Sequence, residues 1–228
     1  MSAENLVLAV KCAPEEKLFS YAARAGIPAV ELYLCGETLK RADEVAALCK
    51  DFDFRYSMHA PNDAYEPKKL SFLAGAVSAE VVVAHNIFWE DEWKEMISCF
   101  KGIPAKLCVE NIATAHEPLK FMRRYGLGCC LDLEHLQLEC AGVYEDEFLR
   151  LMKIASYIHM TGYKYPSEFW HTHIHHLPQH NVYLLDLLLK AGYSGFLVSE
   201  AKVEMQSYDE FSKLHAFFES WKAKHKEG

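Results

Sequence analysis

Six short apolar runs in this chain each finish on one residue able to bind a metal. FRYSMHAP carries His59, EVVVAHN carries His85, KLCVEN carries Glu110, GCCLDLEH carries Asp132, YIHMTGY carries His159 and GFLVSEA carries Glu200. The first five of these residues follow one another at intervals of 26, 25, 22 and 27 residues. One carboxylate or imidazole per interval, always at the end of an apolar run, is the pattern of a parallel barrel whose strand ends converge on one rim. In such barrels the residues that do chemistry sit at the C-terminal ends of the strands. The spacing therefore predicts an α/β fold, a (β/α)8 barrel with a metal-binding mouth.

Helix and strand signals alternate in support of this. Leu18, Tyr21, Ala22 and Ala25 recur at helical spacing and Gly26 stops the helix; Ala29 to Leu34 then reads as a buried strand. The same order returns late in the chain, with Asn181 as a cap, an apolar helix through Ala191, Gly192, the strand residues Phe196, Leu197 and Val198, and Glu200. The last helix opens with Ser207 and Glu210 at capping-box spacing and lays Phe211, Leu214, Phe217, Phe218 and Trp221 on one stripe facing the barrel. Strands are expected near 6–10, 29–34, 54–58, 80–84, 106–109, 128–131, 156–158 and 195–199, eight in all. Near-continuous apolar strands separated by helices imply a parallel sheet covered on both faces. No linker or charge block divides residues 1–228, so one domain is expected.

Composition limits the partners. No stretch approaches the length of a membrane-spanning helix, and the start MSAENLVLAVKCAP lacks the basic flank and apolar length of a signal peptide. The eight cysteines form no CxxC pair or disulfide framework; several, such as Cys108, Cys129 and Cys130, lie in strand-like runs, which points to a reducing cytoplasmic setting. A formal charge of −8 argues against a nucleic-acid binder, which needs a basic face. A small-molecule substrate, phosphorylated or sugar-like, is the expected partner.

Bringing Glu110, Asp132 and Glu200 to one rim without a cation raises their pKa values by mutual repulsion and leaves buried charge uncompensated. A bound metal removes that difficulty. A second layer of donors comes from Asp132-Leu-Glu-His135 and from the run Trp170-His171-Thr-His173-Ile-His175-His176. His171 and His173 can face one way together and read as a ligand pair; His175, His176 and His180 read as a solvated loop. Imidazole-rich ligation favours zinc or manganese over magnesium.

The ordered motifs HAP at 59–61, VVVAHN at 81–86, VEN at 109–111, LDLEH at 131–135, IHMTGY at 158–163 and VSEA at 198–201 resemble those of the xylose isomerase-like TIM barrels, most of all the endonuclease IV branch. In that branch nine ligands hold three zinc ions. The resemblance implies one ion on His59, His85 and Glu110, a second on Glu110 (bridging), Asp132, His159 and Glu200, and a third on His135, His171 and His173. The family has an Asp-x-His pair after its seventh strand, where this chain offers His171-Thr-His173 or His173-Ile-His175. The related sugar epimerases and isomerases use only the quartet Glu110, Asp132, His159 and Glu200 around one ion, usually manganese, with a substrate arginine after the strand-seven histidine. Between Met160 and Trp170 this chain has no arginine, and Lys164 is the only cation there.

Two functional readings follow. The first is a hydrolase with two or three zinc or manganese ions, cleaving a phosphoester of a small or single-stranded substrate, with Glu110 and Glu200 as catalytic residues. The second is a sugar or sugar-phosphate isomerase or epimerase with one divalent ion, in which Glu110 and Glu200 shuttle a proton. Lys164 and Lys202 are candidate phosphate contacts, and Trp170, with Trp89, a candidate pocket wall. Glu31 is expected to make a hydrogen bond within the barrel.

Charge also makes a prediction about DNA. Phosphate neutralisation supplies most non-specific DNA affinity, and the chain holds 24 basic against 32 acidic residues. Past His59, Asp63 and Glu66 accompany Lys68 and Lys69; past His85, Glu90, Asp91 and Glu92 precede Lys94. A binding titration with abasic and intact duplexes at physiological salt should show weak or no binding. Tight binding, or efficient nicking with zinc or manganese, would make the chain a compact repair nuclease instead.

Overall fold

The structure, a computed structural model, describes residues 3–111, 116–135, 145–164 and 169–225, with the side chains at 116–120, 145–148, 163–164 and 169–170 outside the description. Eight parallel strands close into a barrel: β1 (Leu6–Cys12), β2 (Ala29–Tyr33), β3 (Arg55–His59), β4 (Val81–His85), β5 (Lys106–Glu110), β6 (Gly128–Asp132), β7 (Tyr157–Met160) and, after a two-stranded excursion, β10 (Gly195–Ser199). Each pairs with its sequence neighbour and β10 closes on β1, with Leu6 opposite Gly195 and Val10 opposite Ser199. The expected strands are all present, displaced by at most two residues at their ends. Helices between them cover the outside, so the fold is a (β/α)8 barrel. The excursion is an antiparallel hairpin of β8 (Gly162–Lys164) and β9 (Phe169–Thr172) between β7 and β10.

Two apolar cores follow from the alternation of the strands. Inside the barrel pack Ala9, Ala29, Val83, Cys108, Cys130, Tyr157 and Val198. Outside it, the opposite strand faces meet helix residues such as Phe19, Leu73, Trp93, Leu188 and Phe211. At the N-terminal end, Arg55 donates two hydrogen bonds of 2.7 Å to Glu80 and lies 4.6 Å over the Phe196 ring, closing the barrel floor. The polar, open end is therefore the C-terminal one. The seven described cysteines outside Cys140 are free, and no helix among the described residues is long and apolar enough to cross a membrane.

The echo between the two ends of the chain is a shared helix stop. Gly26 has φ +80° and Gly192 φ +79°, and both end their helices in the left-handed conformation. In each, the next residue closes back on the helix: Ile27 N–H donates to Ala22 O and Tyr193 N–H to Leu188 O, both at 3.0 Å. Two expected details differ. The penultimate helix begins at Pro178, and Asn181 sits inside its first turn, donating to Ile174 O at 2.9 Å rather than capping. Proline at the first helical position starts that helix without a polar cap. Ser207 does cap the last helix (Tyr208–Lys224) by accepting from Glu210 N–H at 3.3 Å. The Glu210 carboxylate, however, turns away to His176 instead of completing the box. Phe211, Leu214, Phe218 and Trp221 of that helix are buried as expected, with Phe217 half-buried.

A Cβ in the left-handed region costs roughly 1–2 kcal/mol. Gly192→Ala should lower the urea midpoint by an amount worth about 1 kcal/mol without changing the slope of the transition. An unchanged midpoint would show that the turn relaxes without loss.

Candidate metal centre

Every barrel strand places one charged or imidazole side chain at its C-terminal end. Lys11, Glu31, His59, His85, Glu110, Asp132 and His159 lie within two residues of the ends of β1 to β7, and Glu200 follows β10. All but His85 and Glu200 are buried, and those two are half-buried. The geometry is set by strand register, with His85 beside Glu110 and Asp132 beside His159. Asn111 fixes the β5–β6 end: its amide donates to Asp132 O at 3.1 Å and accepts from Asp132 N–H at 2.7 Å.

Four of these residues converge. His159 Nδ1 lies 3.2 Å from Glu200 Oε2, 3.5 Å from Glu110 Oε1 and 3.9 Å from Asp132 Oδ2. The other ring nitrogen, Nε2, donates to Glu31 Oε2 at 2.9 Å. That bond fixes the ring with Nδ1 facing three carboxylates. Burial opposes charging of the ring, but Cys130, Glu31 and Glu110 outweigh it and hold its pKa well above the ordinary value, so that without a metal Nδ1 carries a proton whose place a bound ion would take. His159 Nδ1, Asp132 Oδ2 and Glu200 Oε2 are all buried without a hydrogen-bond partner. Three carboxylate oxygens and one imidazole nitrogen directed at one point form a donor set for a cation, so these residues fit a divalent ion, with Glu31 orienting the histidine from behind.

A second group shares Glu110. His59 Nδ1 donates to Ala60 O at 2.9 Å, so its Nε2 lone pair faces Glu110 Oε2 at 3.0 Å. His85 Nε2 stands 3.3 Å from that same oxygen. Ligand atoms of His59, His85 and Glu110 lie within 4.8 Å of one another, as do those of Glu110, Asp132, His159 and Glu200. Glu110 thus offers Oε1 to the quartet and Oε2 to the histidine pair.

Charge in this layer is unbalanced: four carboxylates (Glu31, Glu110, Asp132, Glu200) face one ammonium, Lys11. Burial, then the Glu110 charge, pushes the Asp132 carboxyl up to about 7. Burial also acts on Glu31, but His159 and Lys11 outweigh it and bring that carboxyl down to about 2. Lys11 is not one of the metal-ligand residue types, so the ligand pattern of the sequence passes over it. Its signal is the same as theirs, one polar residue near the end of the apolar run LVLAVKC. It donates to Glu200 Oε1 at 2.8 Å and lies 3.7 Å from Glu31 Oε1. Burial alone would lower its pKa; Glu200, Glu31 and Glu110 together raise it, so it stays charged. A cavity of about 400 Å³ opens beside it, lined by Lys11, Tyr33, His171, Glu200, Lys202 and Gln206 among others.

The expected third group does not assemble. His135 is at the mouth, its Nδ1 donating to Asn111 O at 2.7 Å and lying 3.7 Å from Glu110 Oε1. His171 faces Glu134, with Nδ1 3.4 Å from Oε2. His173 is fully buried elsewhere: its Nδ1 is 3.0 Å from Ser199 Oγ and its ring 5.5 Å from Phe211, under the last helix. Burial and His175 push its pKa down to about 3. The cause is backbone: His171 has φ +55°, which breaks the two-residue alternation that would align it with His173. Among the described residues, no group of three close donors contains His135, His171 or His173. Lys202 lines the cavity, whereas Trp89 is 79% exposed and does not. The side chains of Lys164 and Trp170 lie outside the described residues. Glu31 makes the barrel hydrogen bond expected of it.

No protein-family model matches the chain, and no curated protein matches it. Solved structures do. D-allulose 3-epimerase from Methylomonas sp. superposes with a TM-score of 0.69 at 12% identity, over 97% of this chain and 100% of that one. A xylose isomerase domain protein from Planctomyces limnophilus gives 0.67 at 13% identity, over 96% and 97%. Phosphoribosyl anthranilate isomerase from Thermotoga maritima gives 0.57 at 10% identity, over 94% and 99%. At such identities the likeness is one of fold, the closed barrel of eight parallel strands with helices between them.

The raised Asp132 carboxyl has a consequence for metal-free protein. A carboxyl whose folded pKa exceeds its unfolded one stabilises the fold when protonated. That contribution is complete below its ordinary 3.8 and is lost as pH rises through about 7. Chelator-stripped protein should therefore lose thermal stability between pH 5 and 8, and added divalent metal should restore it most at the upper end. A melting temperature that is flat in pH and insensitive to metal would count against a cation-dependent mouth.

Proposed function

We propose that this chain is a divalent-metal-dependent isomerase or epimerase acting on a sugar or sugar phosphate. The observation that carries this reading is the convergence of Glu110 Oε1, Asp132 Oδ2, His159 Nδ1 and Glu200 Oε2, the last three buried without a hydrogen-bond partner. The barrel's likeness to D-allulose 3-epimerase and to a xylose isomerase domain protein supports it. Three carboxylates and one imidazole form an oxygen-rich donor set suited to manganese. When bound, the ion supplies Lewis-acid polarisation of a carbonyl and its neighbouring hydroxyl.

The chain's own residues supply the rest. Glu200 borders the cavity and takes the proton from the carbon beside the carbonyl. Lys11, donating to Glu200 Oε1, keeps that carboxylate ionised and leaves Oε2 turned inwards. Glu110 is the second carboxylate, returning a proton to the opposite face of the same carbon (epimerisation) or to its neighbour (isomerisation). Glu31 holds His159 in one tautomer throughout. Lys11, His171, Lys202 and Gln206 give the cavity the polar donors that hydroxyl or phosphate groups require.

A second reading rests on the pair His59 and His85 against Glu110 Oε2. If that nitrogen-rich group also holds an ion, zinc by its donors, Glu110 bridges two cations and the chemistry is phosphoester hydrolysis.

Metal analysis of protein purified without added metal, with a panel of sugars and phosphoesters, separates the two. For the isomerase, one ion at the barrel mouth is expected, and His85→Ala should leave both metal content and turnover unchanged. For the hydrolase, His85→Ala should remove one of the two ions held at the mouth. Glu110→Gln should abolish activity and weaken metal binding in either case. Full metal content and turnover in Glu110→Gln would sink both.

A further inference from the structure

A second cluster of metal donors lies outside the barrel mouth and shares no residue with it. His175 and His176 belong to the short 3-10 turn Ile174–His176 that follows β9, and Glu210 to the first turn of the last helix. Glu210 Oε2 is 2.7 Å from His176 Nε2 and 3.2 Å from His175 Nε2. The two rings stand 4.2 Å apart between centroids. Ligand atoms of all three residues fall within 4.8 Å of one another.

Hydrogen bonding accounts for only half of this arrangement. His176 Nε2–H donated to Glu210 satisfies one imidazole. His175 is left with both ring nitrogens buried and unpartnered. A neutral imidazole has one donor and one acceptor, and leaving both unmade in a buried ring is costly. Burial, then the neighbouring His176, holds the His175 pKa well below its ordinary value, so its lone pair remains available. The carboxylate has also left the position that its place in the helix offers. Ser207 N–H donates to Met205 O, and the Glu210 side chain points to the histidines instead. The nearby cation is neutralised, since Lys213 pairs with Asp209 at 2.6 Å. The side chains of His175, His176 and Glu210 keep 11%, 16% and 15% of their surface, so the cluster lies near the protein surface.

We propose that His175 Nε2, His176 Nε2 and Glu210 Oε2 form a second binding site for a divalent transition ion, zinc by its donor set. Two imidazoles and a carboxylate leave the fourth tetrahedral position to water. The ion would tie the turn that leads from the hairpin, and with it His171 at the cavity, to the start of the last helix. The site does not depend on which reaction the mouth performs.

The test uses the full chain, stripped with chelator, re-equilibrated with micromolar zinc, dialysed and analysed for metal. Glu210→Gln keeps an acceptor for His176 but is a poor ligand; His175→Ala removes a donor that has no hydrogen bond to lose. Each variant should bind one equivalent of zinc less than the native chain, and the rise in melting temperature with zinc should shrink. A crystal of the zinc-loaded native protein should show an anomalous peak at the zinc edge about 2.0–2.2 Å from the three donor atoms. Equal zinc content in the native chain and both variants, or a native crystal with no peak there, overturns the proposal and leaves a hydrogen-bonded clamp. If a variant fails to fold, the native anomalous map decides alone.

Discussion

The negative charge gathered at the barrel mouth is the constraint around which the rest of this structure is arranged. Closing eight strands in register forces Glu31, Glu110, Asp132 and Glu200 into one layer, with Lys11 as the only permanent cation among the eight strand-end residues. Removing a charge from water costs several kcal/mol per ion even after relaxation, and pairing must offset it. Glu31 accepts from His159 through Oε2, while its Oε1 has only the Lys11 ammonium 3.7 Å away and no hydrogen bond; the inward-facing oxygens of Asp132 and Glu200 have none either. The apolar packing of the barrel below them, with Val83, Cys130, Tyr157 and Val198, is what keeps these carboxylates close. It is also what makes a cation more than an ornament to the fold.

The imidazoles show how backbone and neighbouring groups prepare this layer. His59 and His159 use opposite nitrogens: the first spends its Nδ1 proton on Ala60 O, the second its Nε2 proton on Glu31. Each thereby turns its other ring nitrogen to Glu110, one at each oxygen. A ring free to flip would gain nothing by facing a carboxylate with a lone pair. Each is held by a hydrogen bond at its back, which is the arrangement that raises the basicity and fixes the direction of a metal-ligating histidine.

Much of this was legible in the sequence, because a strand buried on both faces has few places for a polar side chain. His59, His85, Glu110, Asp132, His159 and Glu200 stand out against Val, Ile, Leu, Cys and Ala, and the parallel topology brings strand ends together whatever the loops do. Lys11 obeyed the same rule but was not a ligand type. What failed was the region between β7 and β10, where alternation no longer governs direction. A left-handed backbone at His171 separates it from His173, and no periodicity in Trp170-His171-Thr-His173-Ile-His175-His176 signals that break. The partnership of His175 and His176 with Glu210 spans more than thirty residues of sequence. It was invisible for that reason, and the local capping pattern at Ser207 offered a simpler role for the same carboxylate.

Charge also links the number of ions at the mouth to the kind of substrate it suits. With neutral imidazoles and ionised carboxylates, four negative groups and Lys11 leave three negative charges in the layer. One divalent ion reduces this to a single negative charge, a field that tolerates an uncharged sugar and leaves Glu200 basic. A second ion on His59, His85 and Glu110 reverses the sign, a field that favours a phosphate and weakens the carboxylates as bases. Under the proposed function, the number of ions at the mouth is therefore linked to the charge a substrate there can carry. The switch between them lies at Glu110, whose two oxygens face the two donor groups 3.5 Å from His159 and 3.0 Å from His59. Lys11 biases that switch: its fixed positive charge lies against Glu200, within the quartet, and takes up part of the negative charge that would otherwise draw in a second cation.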